Sequence, residues 1–165
     1  MSRAGPAYCE SVLLHYEAEI EAEAYFDALA PAASDPGKAE KLRRLAAVER
    51  HAAGAIAPLL ARYGLRAADR QVLLEKGKAE ARGALFWETM IAGMRFTYPG
   101  HIAAMEELEA MSPADDGAQL TSYTEHERAA LAFLDLEAKG APKGAAPLRR
   151  NLTVSLDAAG GDRGR

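Results

Sequence analysis

Apolar positions recur every three to four residues along most of this chain, the period of an amphipathic helix. The clearest run is Leu42, Leu45, Ala52, Ile56, Leu59 and Tyr63, a seam interrupted by one carboxylate, Glu49. The pattern predicts four long helices. The first covers about residues 7–30 and is stopped by Pro31. The second covers about 37–63. Ser34 or Asp35 can cap it, Pro36 suits its first turn, and Gly64 suits its C-terminal cap. Pro58 stands inside and should bend it or remove a backbone hydrogen bond.

The third helix, capped by Asp69, is expected to run to about residue 96. Leu73, Gly83, Ala84, Trp87, Met90, Ile91 and Met94 share its apolar face. Tyr98-Pro99-Gly100 should break it and leave a shorter helical piece over 101–111. Ser112-Pro113 opens the fourth, which ends near Lys139-Gly140 and turns Leu120, Tyr123, Glu127, Ala130, Leu131 and Leu134 inward. Glu49-Arg50-His51-Ala52-Ala53 echoes Glu127-Arg128-Ala129-Ala130-Leu131, as two related helix pairs would. A crossover between such pairs must draw on residues 70–78, as a short helix of its own. The expectation is one helical-bundle domain over residues 1–140. Beyond it, Gly, Ala, Pro and Arg dominate residues 141–165, which reads as a disordered tail in which 148–156 could form a short strand or docking peptide.

Composition agrees with a helical domain. The chain has 165 residues, 49% hydrophobic and 27% charged, enough for one buried core. The net charge of -4 argues against a nucleic-acid partner. Cys9 is the one cysteine, so an internal disulfide is impossible. Neither a signal-type apolar run at the start nor a membrane-length apolar segment is present, and a cytoplasmic location without membrane contact is expected. Phosphate loops, nucleophile elbows, Cys-x-x-Cys pairs and His-Glu-x-x-His motifs are missing from the sequence.

The candidate chemistry lies in carboxylates on faces that should be dry. They are Glu17 and Glu21 on the first helix, Glu49 on the second, Glu80 or Glu88 on the third, and Glu127 on the fourth. An unpaired buried charge costs several kcal/mol or is neutralised, so such glutamates need a cation or a basic side chain. His126, beside Glu127, is the imidazole candidate for a metal. Glu19 and Glu23 read as solvated, His15 as surface decoration paired with Glu19, and His51 as facing away from Glu49. His101 could cap a helix or line a cleft. Tyr16, Tyr25 and Tyr123 could donate to buried carboxylates, and Trp87, Met90, Met94 and Phe96 could form an apolar wall.

Over residues 10–139 this arrangement resembles the ferritin-like superfamily, in particular its rubrerythrin-like branch. The resemblance is carried by the run Tyr16-Glu17-Ala18-Glu19-Ile20-Glu21-Ala22-Glu23-Ala24-Tyr25-Phe26, by Glu49 and by Glu127. It implies an all-α, antiparallel four-helix bundle, here with a broken third helix. It also implies two iron or manganese ions held by glutamates and two Glu-x-x-His pairs, with oxygen or peroxide chemistry or iron handling as the activity. The chain departs from that pattern at Ala52 and Ala130, which stand where the two histidines would be. The expected function is a ferritin-like metalloprotein acting on a small molecule, as a homodimer, through Glu17, Glu21, Glu49, Glu80, Glu88, His126 and Glu127. With so few histidines its site would be hard and oxygen-rich and would lean toward manganese or a weakly held metal. The alternative expectation is a metal-free bundle whose inward glutamates pair with arginines and which serves as a dimerisation, interaction or ligand-binding module.

Overall fold

The computed structural model describes residues 4–83, 86–141 and 145–152. Among them every regular element is helical. In chain order these are α1 (Pro6–Leu29), a 3-10 turn (Ala30–Ala32), α2 (Pro36–Tyr63), α3 (Arg70–Ala81), α4 (Trp87–Met111) and α5 (Gly117–Ala138). A further helical segment covers 146–152. Among the described residues no helix is long and apolar enough to cross a membrane.

The helix ends are where local chemistry puts them. The Asp35 carboxylate accepts from the backbone N–H groups of Gly37 (2.7 Å) and Lys38 (3.0 Å), which starts α2. Gly64, at φ 64°, ends it in the left-handed conformation that glycine adopts without penalty. α2 continues unbroken through Pro58. Asp69 starts α3 by accepting from the Gln71 N–H at 2.8 Å.

The third predicted helix needs correction. It is two helices, with the break between Ala81 and Trp87 and not at Tyr98-Pro99-Gly100. Gly83 lies in the connection, and Ala84 is outside the described residues. α4 runs straight through Pro99, which points to solvent, so the carbonyl left without a donor faces water and not the core. Burial of Tyr98, Met105 and Leu108 on one face holds the two halves in a single helix. The expected crossover helix is α3. It packs on α1 so closely that a Cβ at Gly77 would lie 2.1 Å from the carbonyl oxygen of Glu21.

Side-chain contacts give the directions of packing. α1 runs against α2, with the Tyr8 and Tyr63 rings 5.7 Å apart at one end and Glu23 bonded to Arg50 (2.7 Å) further along. α4 runs against α5, tied by Arg95–Asp135 (2.8 Å) and Arg128–Glu106 (2.7 Å). α2 and α5 are joined by Lys41–Glu137 (2.6 Å) and by the Gln119 amide donating to the Ala55 carbonyl. α1 and α4 barely touch, which leaves space between them.

The core comes in two apolar blocks. One holds Phe26, Leu42, Leu45, Ile91, Phe133 and Leu134. The other holds Val12, Ile56, Leu59, Leu108, Leu120 and Tyr123. α1, α2, α4 and α5 each contribute to both, and on each the stretch between the two blocks carries polar residues: Glu19, Glu49, His101, and His126 with Glu127. At the edge of the second block the fully buried Asp116 accepts from the hydroxyls of Tyr8 (2.7 Å) and Tyr63 (2.6 Å) and from Arg62, which satisfies its charge.

The expected disordered tail also needs correction over its described part. Residues 146–152 are helical, neither strand nor disordered, because Leu148 and Leu152, four apart, share one helix face. Leu148 is fully buried in the first apolar block and Leu152 packs against it. Residues 142–144 and 153–165 are outside the described residues.

Candidate metal centre

The first helix presents a different face from the one expected. Glu19 (4% exposed) and Glu23 (6%) are the buried carboxylates of α1. Glu17 and Glu21 lie half-buried under the crossover. Glu17 accepts from the Ala68 N–H at 2.7 Å, and Glu21 pairs with Lys76 of α3 at 2.8 Å. The phase of α1 is hard to read from sequence because α3 covers one flank of the helix while α2 covers another, so no single stripe marks the core. A seven-residue spacing, Val12–Glu19–Phe26, carries the signal that would have found Glu19.

The third-helix candidates separate. Glu80 is exposed, at the rim of a cavity described below. Glu88 is exposed in the first turn of α4 and, among the described residues, pairs with Lys38 at 3.4 Å. Neither belongs to the buried cluster. Glu23 takes the arginine-paired role, between Arg50 (2.7 Å) and Arg70 (2.9 Å).

Glu49, His126 and Glu127 are buried, as their positions on the seams suggested, and they meet Glu19. His126 Nε2 lies 3.4 Å from Glu19 Oε2, 3.4 Å from Glu49 Oε2 and 3.6 Å from Glu127 Oε2. Its other nitrogen, Nδ1, contacts the Tyr123 carbonyl oxygen. A carbonyl can only accept, so Nδ1 carries a hydrogen. Nε2 is buried and has no hydrogen-bond partner. The Tyr123 hydroxyl donates to Glu19, and His101 Nδ1 donates to Glu127 Oε1 at 3.0 Å. Among the described residues no lysine or arginine reaches Glu19 or Glu49.

The charges in this cluster are coupled. Burial works against ionising Glu19, but the adjacent His126 charge and the contacts with His126, Glu49 and the Tyr123 hydroxyl outweigh it and hold the carboxyl down to about 2. Burial and the adjacent Glu19 charge push Glu49 well up, toward the neutral acid. Burial opposes a charge on His126, yet Glu19 and Glu49 together raise it well above the ordinary imidazole value. The hydrogen bond to Glu127 raises His101, and burial only partly offsets this. Without a metal, then, the cluster favours a neutral Glu49 and a charged His126 beside an ionised Glu19.

One ligand atom from each of Glu19, Glu49 and His126 lies within 4.8 Å of the others, close enough to share a cation. The donor types fit iron or manganese: carboxylate oxygens with one imidazole, its remote N–H anchored on a backbone carbonyl. Glu19, Glu49 and Glu127 also line a cavity of about 620 Å³ between α1 and α4, with Leu14, Ala22, Phe26 and Met105 among its walls. Met94 belongs to this wall. Met90 is buried in the first apolar block, Trp87 packs against that block, and Phe96 is 88% exposed. The sequence did not single out His101 for the site, since the break expected at Pro99 removed any basis for its phase. Comparison with family models, with curated proteins and with solved structures gives no match to this chain.

Proposed function

We propose that α1, α2, α4 and α5 form a ferritin-like antiparallel four-helix bundle that holds an iron or manganese ion and acts in oxygen or peroxide chemistry on a small molecule, or in iron handling. Glu19, Glu49 and His126 would hold the ion, with Glu127 beside them. One observation carries the reading. With Nδ1 protonated, a neutral His126 aims a bare, buried lone pair at Nε2 toward three carboxylates 3.4–3.6 Å away. Such an arrangement is repulsive unless positive charge stands among these atoms. The upward shifts of Glu49 and His126 favour protons in that role in the metal-free protein, and a divalent ion would take their place with release of protons.

The donor set closes more readily around one ion than two. His101 already satisfies one oxygen of Glu127, and Ala52 and Ala130 offer no ligand. A bound iron or manganese ion supplies Lewis acidity and redox capacity next to the cavity. The chain's own residues do the rest. Tyr123 orients Glu19, His101 holds a proton between Glu127 and the cavity, and apolar side chains form much of the wall beside the floor. The exposed Phe86 and Phe96 side chains support the expected homodimer.

Inductively coupled plasma mass spectrometry tests this reading. Near-stoichiometric iron or manganese is expected in the purified protein and is expected to be lost in His126→Gln. Absence of metal after reconstitution with ferrous or manganous ion would overturn it. The cluster would then be a buried proton-and-ion-pair network in a metal-free interaction module.

A further inference from the structure

The cavity between α1 and α4 carries charge of one sign. Glu19, Glu21, Glu49, Glu80 and Glu127 line it, and its described lining includes no lysine or arginine. The histidines of the lining offer an anion little: His101 is already engaged by Glu127, and His15 Nδ1 lies 2.8 Å from the Ser11 carbonyl. The cavity sits midway along α1 and α4, where backbone N–H groups are used within the helices, so no helix N-terminus faces it. An anionic head group entering here would meet these carboxylates with little more than phenol O–H and histidine N–H donors in return, and like-charge repulsion disfavours it on that ground. A divalent ion on the floor does not reverse this, since three carboxylates exceed its charge by one.

The rim differs from the floor. Glu21 pairs with Lys76, whose charge also feels Glu80, but the Glu80 side chain itself makes no hydrogen bond or close ion pair among the described residues. It stands at the C-terminal end of α3, the negative pole of that helix. The Tyr25 ring is close by: burial raises its phenol, and the Glu80 charge adds to the rise. An aromatic face beside an unpaired carboxylate is a site for an organic cation. From there α1 leads past Ala22 and Ala18 to Leu14, and α4 leads from Met94 to Met105, an apolar path over the buried carboxylates. The buried, unpartnered Nε2 of His126 points at those same carboxylates.

We infer that this cavity binds an organic amine, its ammonium group held at the rim by Glu80 and Tyr25 and its apolar body lying toward Glu19, Glu49 and Glu127. The inference deepens the metalloprotein reading by naming the substrate class of the same site, and it is tested apart from it. Phenylbutylamine, phenylbutanol and phenylbutanoate present one body with a cationic, a neutral and an anionic head. Their binding is measured by isothermal titration calorimetry on metal-free protein and on protein loaded with manganous ion. The amine is expected to bind about tenfold more tightly than the carboxylate in both forms. Glu80→Gln, a change at an exposed side chain, is expected to weaken the amine about threefold and leave the alcohol unchanged. A carboxylate that matches the amine in the metal-free protein, an amine affinity indifferent to Glu80→Gln, or no binding of any of the three would overturn the inference. Amine preference in a protein that takes up no metal would sink the metal reading alone. Metal uptake without amine preference would sink this one alone.

Discussion

Replacing Glu49 by glutamine separates a metal ligand from a structural carboxylate, because the two roles predict opposite things for the same variant. In the metal-free protein Glu49 is held toward its neutral form by burial and by the Glu19 charge. Glutamine is neutral and of nearly the same shape, so metal-free Glu49→Gln should match the parent within about 1 kcal/mol. Metal changes the comparison. An ion at a hundred times its dissociation constant stabilises the parent by about 2.7 kcal/mol. For a protein of this length that is a rise of about 5–10 °C in Tm. If the amide weakens the site a hundredfold, the same metal concentration leaves about 0.4 kcal/mol, or roughly 1 °C. Differential scanning calorimetry of both proteins, with and without manganous or anaerobic ferrous ion, reads all four values. An equal metal-induced rise in parent and variant would refute Glu49 as a ligand. A loss of several kcal/mol in the metal-free variant would refute the neutral Glu49 on which the reasoning depends.

Three further outcomes follow from the same geometry. Glu49 and His126 both titrate above their ordinary values of 4.5 and 6.5, so between those values and their folded ones the native state holds more protons than the unfolded chain; metal-free stability should fall as pH rises, from about 4.5 for Glu49 and from 6.5 for His126, while metal affinity rises, which denaturation and metal titrations at several pH values will read. Gly77→Ala should cost about 1–3 kcal/mol or more in urea denaturation, since its Cβ would lie 2.1 Å from the Glu21 carbonyl oxygen; an unchanged midpoint would mean that α3 does not sit on α1 as described. Leu148→Ala should cost about 2–5 kcal/mol, because the side chain is fully buried in the first apolar block; a loss under about 0.5 kcal/mol would show that the segment over 146–152 does not dock.

Helices announced by both pattern and punctuation were legible. α2 is the best case: its apolar seam, the Asp35 cap, Pro36 and Gly64 point to the same boundaries, and the structure has them. Punctuation alone misled at Pro99, where a solvent-facing position lets the helix absorb the missing donor. Pattern alone misled after Ala81, where the apolar spacing continues in register although α3 ends there and α4 begins at Trp87. The short apolar run at Leu148 was legible as an attachment point but not as helix, because seven residues carry too little periodicity to choose between two kinds of element.

The candidate site divides along the same line. Glu49 and Glu127 were evident because each is a lone carboxylate in an otherwise apolar stripe on a helix with one dry side, and His126 followed as the imidazole beside Glu127. Glu19 was hidden because α1 is covered on more than one flank, so the direction of its core face depends on where α3 lies. By itself the sequence determined that the chain is helical, where α2 begins and ends, and that carboxylates would enter its core. Those are local matters, settled by periodicity, capping chemistry and the cost of burying charge. Only the tertiary structure decided that Glu19 and not Glu17 joins them, that His101 closes on Glu127, and that α1 and α4 stand apart to leave a cavity above the cluster. These depend on the rotation of each helix about its axis and on the spacing between helices. Packing contacts between residues far apart in the chain set both, and the order of residues along one helix does not record them.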